Sequence, residues 1–429
     1  MPQVRSSTTL VLGLVMAGAV LGLSACAPET DSTPAPSPTA APETPEPEAY
    51  DGPLHFVGDE LDWFLPSEDE IRALLPGIAD MSEPSSALEQ ISDGGGPAPV
   101  PAICSALSAE MSLGSVGART LTWTLEGSDN AVGRLHVLQL ADEAQVAARM
   151  DQLRAATEQC GSYVLERDSG FDAEIVGESD GAQAIAGTLT EGFIDGEWRY
   201  HKGYASMGNV IVELFQTGID GTVIDAAAVA EMLREHSLSA RDALVEELTV
   251  NPPAPAETPS AVDPGAPWST WEMSVEAVGP IVLGSDLDAA LAAVSGAQVR
   301  EPEWEGSPWW LTAADGSASV GIWAEKSGER VEKVTVGVSN IFGEPVHEGT
   351  SLPAAGGVRV GDPVSAAIAA FPEGTFLTVV ASGEFFYDVA TRDGGSVSFR
   401  TDRDPADPAA VVTGIGVEDA TLRAPLVFG

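Results

Sequence analysis

Residues 119–140 read RTLTWTLEGSDNAVGRLHVLQL. Apolar and polar residues alternate on both sides of Gly127-Ser128-Asp129-Asn130, as they do in strands that bury one face. Gly, Ser, Asp and Asn side by side are typical of a turn. The stretch therefore predicts a β-hairpin with strands at 119–126 and 132–140.

The segments around this hairpin predict further strands and several capped helices. Ser67 with Glu70 and Asp142 with Gln145 have the spacing of helix N-terminal caps. Thr222 with Asp225 opens a last helix, and a second short helix is expected over 240–248. Strand-like runs follow one another at 162–166, 173–176, 182–190, 198–205 and 209–217. Residues 51–250 are thus expected to be an α+β domain, a mostly antiparallel sheet with helices against one face.

The N-terminus has the pattern of a secretory signal peptide. Arg5 is the one charge before an apolar run at 10–23, and Leu23-Ser24-Ala25-Cys26 follows. These four residues resemble the bacterial lipobox, which implies cleavage after residue 25 and a diacylglycerol on Cys26. The alternative is an ordinary signal peptide with an incidental cysteine. We expect residues 1–25 to be removed and the protein to be lipid-anchored on the extracytoplasmic face of the cell membrane.

Two cysteines are left once Cys26 is assigned to the lipid. Exported compartments are oxidising, so we expect Cys104 and Cys160 to form a disulfide. The alternative is a pair of buried free thiols.

Two Pro-rich segments mark the boundaries of the modules, and the net charge excludes some classes of partner. Residues 26–50 and 251–267 are Pro-rich and are interpreted as a tether and a linker. The chain has 65 acidic and 20 basic residues, a formal charge of −45. Such a chain repels phosphate backbones, so nucleic acid is not an expected partner and the membrane must be held by the lipid.

Residues 268–429 contain an internal duplication at an offset of 77, with units at about 279–355 and 356–429. The alignment needs no gap and places Trp309 and Trp310 on Phe386 and Tyr387. It also places Val334 on Val411 and Val338 on Ile415. Each unit predicts a strand, a helix and about three more strands. The unit distantly resembles the tandem repeats of β-lactamase inhibitor proteins and of small outer-membrane assembly lipoproteins.

The first module has Cys104 after a Pro-rich entry, the hairpin, the helix ending at Cys160, and the run ASMGNVIV at 205–212. In these features it resembles the extracellular sensor domain of PknH-type kinases, which also occurs alone in actinobacterial lipoproteins. The family commonly has two disulfides, whereas this chain can make one. The resemblance implies a ligand-sensing or envelope-interacting module without chemistry of its own.

Few residues are candidates for chemistry. Ser179 lies in Gly177-Glu178-Ser179-Asp180-Gly181, a nucleophile-elbow pattern, but the strand-like run after it favours a hairpin turn. The five histidines have no metal-ligand spacing, and Asp402, Asp404 and Asp407 are interpreted as a solvated turn. No catalytic residue, metal site or cofactor is expected. Trp309 and Trp310 face opposite ways on a strand, so one can be core and the other a binding surface.

The sequence therefore predicts a non-catalytic, lipid-anchored envelope protein that binds a small ligand or a protein partner. One alternative is an inhibitor-like or assembly role for the C-terminal repeats. The other is a serine hydrolase that uses Ser179.

Overall fold

A computed structural model describes residues 49–91, 98–127, 132–177, 181–219, 222–253, 262–338 and 347–426. Antiparallel sheets and helices both contribute, and the fold class is α+β as predicted. The helices are α1 Glu68–Leu74, α2 Glu143–Gln159, α3 Ala226–Val250, α4 Leu287–Ala293 and α5 Val364–Ala370. Short 3-10 turns cover Gly58–Phe64, Ala102–Leu107, Trp268–Thr270, Gly349–Ser351 and Ala420–Leu422.

The strands fall into an earlier and a later group along the chain. The earlier strands are β1 Ile78–Met81, β2 Ala87–Gln90, β3 Gly117–Leu125, β4 Val132–Gln139, β5 Tyr163–Val164, β6 Asp168–Val176, β7 Gln183–Phe193, β8 Gly196–Met207 and β9 Val210–Thr217. The later strands are β10 Ala277–Val278, β11 Ile281–Val282, β12 Gln298–Arg300, β13 Trp309–Thr312, β14 Ser319–Ala324, β15 Val331–Gly337, β16 Thr375–Val379, β17 Glu384–Ala390, β18 Gly395–Thr401 and β19 Val412–Asp419.

The first sheet has eight strands among the described residues, in the order β1-β3-β4-β9-β8-β7-β6-β5. Its neighbouring strands are all antiparallel. The predicted hairpin is confirmed: β3 pairs with β4, and Thr120 lies opposite His136.

Helices cover both faces of the first sheet, which corrects the prediction of helices on one face. Helix α3 packs on the face that carries Leu135 and Leu214. Helix α2 packs on the opposite face, with Leu138 and Ile211. Successive side chains of a strand point to opposite faces, and β4 and β9 bury apolar side chains on both faces, so each face needs a cover.

Helix α3 is one continuous helix of 25 residues, where two helices were predicted. Its N-cap is Asp225, whose carboxylate accepts a hydrogen bond from the Ala228 N–H at 3.1 Å. Ala240, Leu244 and Leu248 continue the buried stripe of the first turns. Burial along one uninterrupted stripe favours a single helix over a break before residue 240.

The second sheet has nine strands among the described residues, in the order β12-β13-β14-β15-β19-β18-β17-β16-β2. Helices α4 and α5 pack on one face of it and share its core. They begin at Leu287 and Val364, which are 77 residues apart. The Leu287 N–H donates to the Glu329 carbonyl, and the Val364 N–H donates to the Ala410 carbonyl.

Two strands of the first repeat match their equivalents in the second repeat at offsets other than 77. This corrects the gapless alignment. The core-facing aromatic residue of β13 is Trp309 and that of β17 is Tyr387, which gives an offset of 78. One residue of shift exchanges the two faces of a strand, so burial decides this register.

The last strands of the two halves are displaced further. Gly284 donates its N–H to the Val331 carbonyl and Gly361 donates to the Val412 carbonyl, so β15 corresponds to β19 at an offset of 81. Val334 therefore matches Ile415 and not Val411. The four additional residues lie in the loop between β18 and β19.

Strand β2 belongs by sequence to the first module but lies at the edge of the second sheet. It pairs in parallel with β16, with Leu88 opposite Leu377. Leu88 is buried in the same apolar cluster as Leu138 and Leu377. The chain from Pro47 onward accordingly forms one compact unit, and the contacts cross the Pro-rich segment at 251–267.

Candidate binding site

The disulfide between Cys104 and Cys160 is present, with the two Cα atoms 5.8 Å apart. Cys104 lies in the turn Ala102–Leu107, and Cys160 is the C-cap of α2. Both cysteines are fully buried in the cluster that α2 makes with the first sheet. The bond thus fixes the end of α2 against this turn.

Two of the sequence-predicted site residues lie outside the described residues. These are Cys26 and Ser179. The signal peptide at 1–25 and most of the tether lie there as well.

Trp309 and Trp310 point to opposite faces of β13, as the alternation predicts, but neither ring forms an open surface. Trp309 packs against the core of the second sheet. Trp310 is 6% exposed, with the Arg300 guanidinium 5.8 Å from its ring centroid. Trp304 in the adjoining loop is half-exposed.

The histidines and the Asp402 loop have ordinary structural surroundings. No group of three or more His, Cys, Asp or Glu within the described ranges could hold a metal ion. The carboxylates of Asp404 and Asp407 accept hydrogen bonds from backbone N–H groups two residues ahead. Asp402 accepts one from Val411. Their carboxylates therefore shape the loop after β18.

A cavity of about 340 Å³ lies where α2 meets the second sheet. No sequence pattern pointed to it. Its walls come from four separate parts of the chain: Gly114, Gln145, Arg149, Lys326, Glu332, Arg423, Ala424, Pro425 and Leu426. Three of these side chains are cations and one is a carboxyl group, although the chain has 65 acidic and only 20 basic residues.

Arg149 is the cation that α2 contributes, and it is 4% exposed. Its guanidinium donates to the carbonyls of Met111 and Leu113, in the segment between the disulfide turn and β3. Burial lowers the pKa of Arg149 to about 10, and the charge of Glu213 opposes this shift. The side chain therefore stays charged at neutral pH.

Arg423 contributes the second cation and connects the second sheet to the segment before β3. It holds Glu418 of β19 through Nε and Nη2, and its Nη1 donates to the Gly114 carbonyl at 3.0 Å. Burial alone would raise the pKa of Glu418, but Arg423 and Lys333 lower it to about 2. Glu418 is thus fully ionised and orients Arg423 toward the cavity.

Glu332 is the carboxyl group of the cavity. Burial raises its pKa to about 7, and the negative charge of Glu418 raises it too, while Arg423 and Lys333 act in the opposite direction. Groups whose pKa is strongly perturbed concentrate at functional sites, so Glu332 is a candidate binding residue.

A second group of buried polar residues crosses the first sheet. His136, Glu213 and Tyr204 lie side by side on β4, β9 and β8. Burial alone would raise the pKa of Glu213, but His136, Lys202 and Arg134 lower it to about 2. Lys202 donates to the Leu107 carbonyl and so ties the sheet to the disulfide turn. We assign this row a structural role.

Comparisons with known proteins give little guidance. No protein-family model matches the chain, and no curated protein matches it. One solved structure with a likeness is the crystal structure of the extracellular domain of PknH from Mycobacterium tuberculosis. The identity is 13% and the TM-score 0.31, over 46% of this chain and 100% of that chain. A likeness at this TM-score carries no argument about function, so the sensor family stays a prediction.

Proposed function

We propose that this protein is a lipid-anchored, extracytoplasmic binding protein that takes up a small ligand without converting it. The observation that carries the proposal is the cavity between α2 and the second sheet. Its size suits a small ligand, and concave sites with a few convergent polar groups are where proteins bind such molecules.

The residues around the cavity support binding over catalysis. Arg149 and Arg423 are held in place by bonds to backbone carbonyls and to Glu418, so they do not need to rearrange when a ligand enters. Among the described residues that line the cavity, none has a hydroxyl, thiol or imidazole group, so a Ser, Cys or His nucleophile is absent from this lining. Glu332 is the one carboxyl group there, and no second group of this described lining is placed beside it as the partner of a general base.

The anchoring part of the proposal rests on the lipobox-like sequence at Cys26. No helix in the described part of the chain is both long and apolar enough to cross a membrane. The disulfide is typical of an exported protein, because thiols of cytoplasmic proteins are usually kept reduced.

Native mass spectrometry of the protein extracted from its own envelope tests the binding role. We expect a non-covalent small-molecule adduct on the wild type and its loss in Ala424→Trp, which places a large ring in the cavity. Ala381→Trp adds the same bulk at an exposed turn after β16 and should keep the adduct. An unadducted wild type, or an adduct that persists in Ala424→Trp, would contradict the proposal.

A further inference from the structure

We propose that the ligand of this cavity is a small anion, a carboxylate or a phosphate, held among Arg149, Lys326 and Arg423. The inference rests on the proposed binding function and names the class of ligand. A cationic ligand would meet three like charges here. A neutral ligand would take water away from these charged groups without supplying a counter-charge, which is costly.

The guanidinium group of Arg423 keeps donors for such an anion. The bonds of Arg423 to Glu418 and Gly114 engage one N–H on each of its nitrogens. A guanidinium has a second N–H on Nη1 and on Nη2, so Arg423 can still donate two bonds to a carboxylate or phosphate. Lys326, which is exposed, adds a flexible charge at the rim.

The many acidic residues of the protein do not prevent an anion from binding in the cavity. Exposed charges are screened over roughly 8 Å at physiological salt, whereas groups inside a cavity are screened much less. The charged groups at the site itself, Arg149, Lys326, Arg423 and Lys333 against Glu418, Glu325 and Glu332, still sum to a positive charge. This local charge outweighs the distant acidic residues. The volume of about 340 Å³ corresponds to roughly ten water molecules and suits a small organic acid or a phosphate.

Glu332 gives this site a pH dependence. The charged groups that act on its carboxyl are Glu418, Arg423, Lys333 and Glu325. A bound anion adds a negative charge beside Glu332, which favours its protonated form. Binding should therefore take up a proton, and affinity should rise as the pH falls through about 7, the pKa of Glu332.

Calorimetric titration of the full-length protein in detergent with succinate and with inorganic phosphate tests this inference. We expect at least one of the two anions to bind, and Lys326→Glu to weaken that binding about tenfold. Arg199→Glu reverses an exposed charge on β8 that does not line the cavity, and it should leave the affinity unchanged. With succinate, whose two carboxylates are both ionised above about pH 6.5, Glu332→Gln should bind with nearly constant affinity from there to about pH 9, because residue 332 can then lose no proton.

Three results would overturn the assignment. The first is that neither anion binds wild type or Glu332→Gln at any of these pH values. The second is that Lys326→Glu and Arg199→Glu weaken binding equally. The third is that the dication putrescine binds in the cavity instead. If these results came with a native adduct that Ala424→Trp removes, the binding function would stand and the ligand class would be wrong.

Discussion

Glu418 keeps its negative charge in a place where its side chain is only 5% exposed. Arg423 contacts both of its carboxylate oxygens, and Lys333 lies 3.4 Å away. Removing one partner of a buried ion pair leaves an uncompensated charge, which costs more than the pair itself contributes. A single carboxylate therefore stabilises both the second sheet and the wall of the cavity.

We expect Glu418→Gln to lower the free energy of unfolding by about 3 kcal/mol, because Arg423 and Lys333 lose their counter-charge. Urea denaturation at neutral pH measures this. Glu68→Gln breaks the exposed pair with Arg72 and should cost about 0.5 kcal/mol or less. Equal losses in the two variants would contradict the role of Glu418.

The same carboxylate predicts a loss of stability in acid. Its pKa is about 2 in the folded protein, against 4.5 for an unperturbed glutamate. Its contribution to the free energy of unfolding is complete above the pKa of the unfolded chain, 4.5, and disappears as the pH falls from 4.5 toward 2. The difference in stability between wild type and Glu418→Gln should shrink over that interval.

Cys26 is the residue on which the anchoring prediction depends. We expect wild-type cells to incorporate labelled palmitate into this protein and Cys26→Ser cells not to do so. One acyl chain binds a membrane only marginally and two chains hold firmly, so the wild type should be recovered in the membrane fraction. Absence of label from the wild type would show that the lipobox assignment is wrong.

At the scale of the elements, the disulfide and α2 act together. Cys160 caps α2, and Arg149 reaches from the same helix to Met111 and Leu113. The segment between Cys104 and β3 is thereby fixed at two points. This segment carries Gly114, whose carbonyl binds Arg423, so the disulfide supports a wall of the cavity from a distance.

Replacing both Cys104 and Cys160 by Ala should lower the free energy of unfolding by roughly 4 kcal/mol, the chain-entropy value for a loop of this length. Thermal and urea unfolding of the variant beside the oxidised wild type measure the loss. Peptide mapping without reductant should recover the crosslinked pair from the wild type. An unchanged urea midpoint would mean that the bond does not stabilise the fold.

At the scale of the whole molecule, the two sequence modules share one structure. Strand β2 completes the edge of the second sheet, and Leu377 packs with residues of the first module. The C-terminal half therefore depends on the N-terminal half for an edge strand and for the cover of an apolar surface.

A fragment of residues 268–429 should accordingly aggregate or unfold, because it exposes the unpaired edge of β16 together with Leu377, Val379 and Phe386. Size-exclusion chromatography and the dispersion of NMR amide shifts report the outcome. A fragment of 49–429 serves as the control and should be monomeric and folded. A monomeric 268–429 fragment with dispersed amide shifts would show that the contacts across the junction are not needed.

Local patterns predicted much of the fold. The hairpin, the caps at Ser67 and Asp142, the helix that ends at Cys160 and the disulfide all depend on residues close in sequence or on simple counting. The errors share one physical origin. Three predictions were wrong: the break in α3, the placement of helices on one face of the first sheet, and the alignment of Trp309 with Phe386. Each of these features is decided by what packs against the element, and short-range periodicity does not contain that information.

The sequence alone determined the α+β class, most elements of the first sheet and the Cys104–Cys160 pair, because strand alternation, cap spacing and oxidising export act locally. Tertiary structure alone decided the cavity. Arg149, Glu332 and Arg423 are far apart in the chain, and each has an unremarkable neighbourhood in sequence. The charge of a cavity is a sum over side chains that folding brings together, and the raised pKa of Glu332 arises from burial and from Glu418. Both quantities exist only once the two sheets have joined.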